Sequence, residues 1–236
     1  YGHSFHDLLK VEEHFAQHPE YFDSVSRGKR VLDDPVQPCC TNDDAARIIT
    51  DNLRRVIERD LRIEQDDPTR PAPQVYYLAQ HDGGSYCMCP SCRSLIDAEG
   101  SASAPLIHLC NRVVEVIDRE FPDRSMMTIA YRFSRRPPRT LQAHPKLIVQ
   151  LCSIECCQSH SHAVCDSEDA VLFREDVEGW QRAAERIWVW DYVANLWHPF
   201  LTGPGVDVVP DNIRYFVDHG ISGIFVQDGG ERDFRG

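Results

Sequence analysis

The residues of this chain whose types could do chemistry fall at or directly after short apolar runs. His81 and Asp82 follow "QVYYLAQ" (74–80), Tyr131 and Arg132 lie near the end of "SMMTIAYRF" (125–133), and Glu155 follows "KLIVQLCSI" (146–154). Trp190, Asp191 and Tyr192 lie near the end of "RIWVWDYV" (186–193), and Gln227, with Asp228 after it, closes "SGIFVQ" (222–227). A carboxyl group anchored by a buried strand suits proton transfer, because poorly solvated surroundings disfavour its ionised form. Glu155, among Cys152, Ile154 and Cys156, is predicted to be such an acid; pairing with an arginine such as Arg132 is the structural alternative. Asp82 precedes Gly83 and Gly84, which allow a ligand close to the backbone, though a turn aspartate bonding its own backbone has the same signature. Alternation along a strand turns Trp190 and Tyr192 away from Asp191, which allows one aromatic in the core while Asp191 points into a site; the alternatives for the aromatics are a stacking platform for a ligand or packing of both.

Cysteine is the second chemical theme. The ten cysteines cluster: Cys39 and Cys40; Cys87, Cys89 and Cys92; Cys152, Cys156, Cys157 and Cys165; and Cys110 alone. The C-x-C-x2-C triplet offers three thiolates where a tetrahedral structural zinc takes four ligands. Cys39, Cys40 or a histidine would supply the fourth. Disulfides from Cys39 or Cys40 into the triplet are the rival, permitted outside the cytoplasm. In either form the cluster braces the loop that begins five residues after Asp82. A catalytic thiol has little support, and "IECCQSHSH" with Cys165 is the other place to look for one.

These residues need a scaffold. Apolar stripes and caps predict helices at 41–61, 105–121, 171–185 and 210–220, alternating with the apolar runs. Short strands that are apolar on both faces, alternating with amphipathic helices, mean a parallel sheet inside an α/β fold. No Gly-x-Gly-x-x-Gly follows a strand, so a dinucleotide fold has no support. Five strands, each bringing polar groups to its C-terminal end, suggest a (β/α)8 TIM-type barrel. On this expectation the chain is one domain over 1–236, incomplete at both ends, with "GHSFH" as the loop after an upstream strand.

The net charge of −12 repels phosphate backbones and anionic lipid, so nucleic acid is excluded as a partner class. No apolar run approaches the roughly 20 residues that cross a bilayer, so membrane insertion is not expected.

The blocks "GHSFHDLL", "EEHFAQHPEYF", "QHDGGSYCMCPSCRSL", "LCSIECC", "WVWDY" and "NIRYFVDHGISGIF" occur in order along nearly the whole chain. Together they resemble the bacterial proteins catalogued as domain of unknown function 4838 and grouped with glycoside hydrolase family 163. The resemblance implies a barrel-type catalytic domain with endo-β-N-acetylglucosaminidase activity on glycans, located outside the cytoplasm and requiring no cofactor beyond a possible structural zinc at Cys39, Cys87, Cys89 and Cys92. Glycoside hydrolysis takes a carboxylic acid and a second carboxylate, or an acetamido group that a carboxylate orients. Glu155 is then the expected acid, with Asp191 and Asp82 as candidates for the second role. His3, His6, His81, Tyr131, Arg132, Trp190, Tyr192 and Gln227 are the expected sugar-binding residues. The chain departs from the expected pattern at His81, where asparagine is expected, and at Val226, where glutamate is expected. The second departure keeps open a non-catalytic carbohydrate-binding or scaffold domain.

Overall fold

The computed structural model describes residues 2–22, 36–193 and 205–227. After two short helices, α1 (Phe5–Leu8) and α2 (Val11–His14), the order is α3 (Asp43–Asp66), β1 (Val75–Tyr77), α4 (Pro90–Glu99), α5 (Ser103–Glu120), β2 (Ser125–Ala130), β3 (Leu147–Cys152), α6 (Glu168–Ala183), β4 (Arg186–Tyr192), α7 (Val209–Asp218) and β5 (Gly223–Gln227). Asn42 caps α3 by accepting from the Ala45 N–H, and Ser167 caps α6 by accepting from the Ala170 N–H. Both caps satisfy donors that a helix leaves open at its start. Helix α4, which Cys89 precedes as N-cap and which contains Cys92 in its first turn, lies outside the helices expected from the sequence. Pro90 in its first turn and left-handed Gly100 (φ 67°) at its end were the available signals.

The five strands form one parallel sheet in the order β1-β2-β3-β4-β5, every pair joined in register. The sequential order has no reversal, so there is no switch point of the doubly wound kind. It also overturns the eightfold barrel. A barrel closes only when its last strand pairs with its first. Here β1 and β5 are the outer strands of a curled half-barrel sheet, and no described strand joins them. The sheet therefore has two unlike faces. Tyr76, Leu78, Met126, Leu147, Val149, Leu151, Ile187 and Val189 pack with α3, α5 and α6 into the main core. On the concave face, Ala79, Ile129, Tyr131, Cys152 and Tyr192 form a small cluster of their own, with Tyr77, Ile154 and Trp190 against it.

The segment read as a loop after a missing strand has a defined place. The Ser4 and Phe5 N–H groups both donate to the Ala79 carbonyl, and the Ser4 hydroxyl donates to the Tyr77 carbonyl. This clamps residues 2–5 against the C-terminal end of β1. Gly2 then reaches across to β4, where a Cβ would stand 2.8 Å from the Trp190 ring.

Candidate functional site

A cleft of about 230 Å³ opens on the concave face at the strand C-termini, lined by His3, Asp82, Tyr131, Trp190, Tyr192 and Gln227 over a floor of Ile129, Cys152 and Ile154. It is smaller than the ~300–1,000 Å³ of most ligand pockets, so it matches a subsite rather than an enclosed chamber. Its parts are held from several strands. Trp190 Nε1–H donates to Gln227 Oε1 at 2.9 Å, joining β4 to β5, and the Trp190 and Tyr192 rings lie nearly parallel at 6.1 Å. The Tyr131 hydroxyl donates to Asp82 Oδ1 at 3.0 Å. Burial, reinforced by that bond to Asp82, pushes the Tyr131 phenol up to about 12, so it remains a donor at neutral pH.

Arg132 adopts a left-handed backbone (φ 50°), a strained state for a residue with a Cβ. Its guanidinium stands 5.1 Å from the Tyr131 ring and 4.0 Å from Asp82. His3 Nδ1 lies 2.6 Å from the Gln80 carbonyl oxygen. A carbonyl only accepts, so Nδ1 carries the proton of this contact and Nε2 is left as the acceptor. His81 lies behind the cleft. It is buried, with its backbone held on both sides by the Gln37 amide, and its ring meets exposed His6 edge-on at 5.6 Å. His6 and His81 thus form a pair beside the cleft instead of lining it.

The carboxylates separate. Glu155 follows Ile154 of the cleft floor but is not among the residues that line the cleft, and its charge helps to raise the Cys152 thiol and the Tyr192 phenol. Its side chain is 31% exposed, and its arginine partner is Arg135 at 3.4 Å, not Arg132. Arg135 is held more closely by Asp176, at 2.8 Å. Asp191 points the other way. It is buried on the helix side of β4, where it accepts from the Ser153 hydroxyl (2.6 Å), His162 Nε2 (3.0 Å) and the Asn212 amide (3.3 Å). Burial alone would raise the Asp191 carboxyl, but the hydrogen bond and charge of His162, with Ser153, outweigh it and hold the group below its ordinary value. The expected alternation along β4 is present with its faces reversed: both aromatics line the cleft and the aspartate meets the helix layer. Val226 pairs with Asp191 and shares its face, whereas Gln227 pairs with Tyr192 on the cleft side. Asp228 lies outside the described residues.

The family model described as a domain of unknown function (DUF4838) matches residues 1–234. The chain belongs to this family. No curated protein and no solved structure matches it.

In this DUF4838 chain the cysteine triplet has acquired its fourth member. The sulfurs of Cys39, Cys87, Cys89 and Cys92 all lie within 4.8 Å of one another. Cys39 and Cys89 Sγ are 3.7 Å apart, and no disulfide links any of the cysteines. Cys40, the other candidate, turns its thiol to the Pro38 carbonyl. The Thr41 hydroxyl approaches Cys92 at 3.3 Å and Cys89 at 3.6 Å. Hydrogen bonds from Cys87 and Cys92 drive the Cys39 thiol far down, and the same bonds to Cys39 push Cys87 and Cys92 up. A divalent ion would let all four sulfurs ionise. The four sulfurs could hold a metal ion, which would tie the segment at Cys39 to the start of α4.

Gln80 and Ser134 were not anticipated. The Gln80 amide donates to the Tyr131 carbonyl and its oxygen accepts from Ser134, so they fix the Asp82 loop against the end of β2. No local pattern marks Gln80, because its partners lie about 50 positions away, whereas Ser134 also accepts from the Tyr131 N–H three residues before it.

Proposed function

We propose that this domain is a glycoside hydrolase acting on β-linked N-acetylglucosamine glycans outside the cytoplasm. The observation that carries the reading is one cleft that combines the Trp190 and Tyr192 rings with Asp82, Tyr131, His3 and Gln227, with Glu155 next in the chain to Ile154 of its floor. Aromatic faces beside hydrogen-bonding groups suit a pyranose, which presents apolar C–H faces and an equatorial belt of hydroxyls. Glu155 is the acid that protonates the leaving oxygen as the C1–O bond breaks. Asp82, held by the Tyr131 hydroxyl, orients the 2-acetamido group, whose oxygen bonds to C1. Glu155, now ionised, takes a proton from the water that opens the resulting ring. Asp191 has no part in bond making. Through Ser153 it positions the chain that carries Glu155. A structural zinc at Cys39, Cys87, Cys89 and Cys92 braces the loop after Asp82.

Binding without hydrolysis is the second reading, favoured by the Arg135 partner of Glu155 and by Val226. Glu155→Gln separates the two. General acid catalysis is worth ~10²–10⁴-fold, so the variant should lose about that much on an N-acetylglucosamine oligosaccharide. It should lose far less on an aryl glycoside, whose leaving group needs little protonation. Equal losses on both substrates would remove Glu155 from the acid role. Glycan binding with no turnover by the unaltered protein would establish the binding reading.

A further inference from the structure

A second group of ligating side chains lies in the loop between β3 and α6, clear of the tetrathiolate cluster. Cys157, His160 and Cys165 bring two sulfurs and an imidazole nitrogen within 4.8 Å of one another, with Cys157 Sγ 3.2 Å from His160 Nδ1. We propose that Cys157, His160 and Cys165 form a second metal site, which takes a zinc-class divalent ion and leaves its fourth position to an exchangeable ligand such as water.

Three observations support this assignment independently of the proposed hydrolysis. The donor set is the borderline-soft mixture of thiolate and imidazole that selects such ions, and three protein ligands leave a tetrahedral ion one open position. The loop is built to hold its shape. Arg174 Nη1 on α6 donates to the carbonyls of both His162 and Cys165 at 2.7 Å, and the Cys165 N–H returns to the Ser161 carbonyl. The His162 N–H is held by Asn212, and its ring by Asp191. The third observation is the setting of Cys165. It is buried beside the first turn of α6, with its sulfur 3.3 Å from the Ser167 hydroxyl that caps that helix, so its position is fixed by the fold. His160 is exposed, so the open position faces solvent.

The test uses the full chain, reduced, stripped with a chelator and titrated with Zn²⁺ against a chromophoric competitor, with stoichiometry read by native mass spectrometry. Two ions per chain are expected. His160→Ala removes an exposed side chain and should leave the fold intact. It should weaken one equivalent by ~100-fold or more, because loss of an outer-shell partner alone costs ~10–100-fold. Cys157→Ser with Cys165→Ser should leave one ion, whereas Cys89→Ser should weaken the other equivalent and spare the one that responds to His160. One ion in the unaltered protein, or two of unchanged affinity in His160→Ala, would overturn the site. So would a Cys157–Cys165 disulfide in place of the second ion.

Discussion

Replacing Asp191 with alanine tests whether this carboxylate is a structural anchor. Three side-chain donors converge on it in a buried setting: Ser153 at 2.6 Å, His162 at 3.0 Å and Asn212 at 3.3 Å. A buried donor left without its acceptor costs ~1–3 kcal/mol. The three costs do not simply add, since the Ser153 hydroxyl retains the Trp190 carbonyl at 3.4 Å as a second acceptor. His162 loses its one charged partner while packed between Phe173 and Phe216. Leaving the buried His162 and Asn212 donors without their acceptor is expected to cost ~2–4 kcal/mol in all. Urea unfolding at neutral pH should show it as a lower midpoint with an unchanged slope. The pH dependence follows from the depressed carboxyl. The folded state binds the Asp191 proton less readily than the unfolded chain, whose reference value is 3.8. The stabilisation is therefore complete well above that value, and it is lost as pH falls through the lower folded-state value. The gap between the two proteins should narrow below about pH 3.8. A loss under ~1 kcal/mol at neutral pH would refute the argument. So would an Asp191→Asn protein of full stability that loses hydrolysis as completely as Glu155→Gln, because that pattern belongs to a residue acting on substrate.

Chelation of the tetrathiolate centre should lower thermal stability and zinc should restore it. The cluster closes a loop of about 50 residues between Cys39 and Cys89, a cross-link worth ~4 kcal/mol on chain entropy. That corresponds to a fall of about 10 °C in Tm for a chain of this size, and an unchanged melting curve after metal removal would contradict it. Gly223→Ala should destabilise by ~1–3 kcal/mol, because its Cβ would stand 2.4 Å from the Trp188 indole; an unchanged urea midpoint would show that the indole moves freely. Trp190→Ala should raise KM for a glycan ~2–10-fold, the equivalent of a lost ~0.5–1.5 kcal/mol aromatic contact. A change confined to kcat would argue against a stacking role.

Alternating apolar strands and amphipathic helices were enough to specify a parallel α/β sheet, since each segment's period depends only on its own residues. A helix cap at Thr41 or Asn42 and the mutual proximity of Cys87, Cys89 and Cys92 were likewise local facts, with the choice of Asn42 made by the structure. Closure was not. Whether strands meet in a ring depends on pairing between distant strands, and the described sheet ends at β1 and β5. Period also fixes which residues share a face, but not which face the helices cover. Trp190 and Tyr192 were therefore correctly opposed to Asp191, and both line the cleft, but Asp191 faces the helix layer instead of the site. Only the fold could choose Cys39 over Cys40, Arg135 over Arg132 as the partner of Glu155, and His162 as the partner of Asp191. Each choice rests on a contact between side chains brought together by the packing of separate elements, whose energy no short stretch of sequence contains.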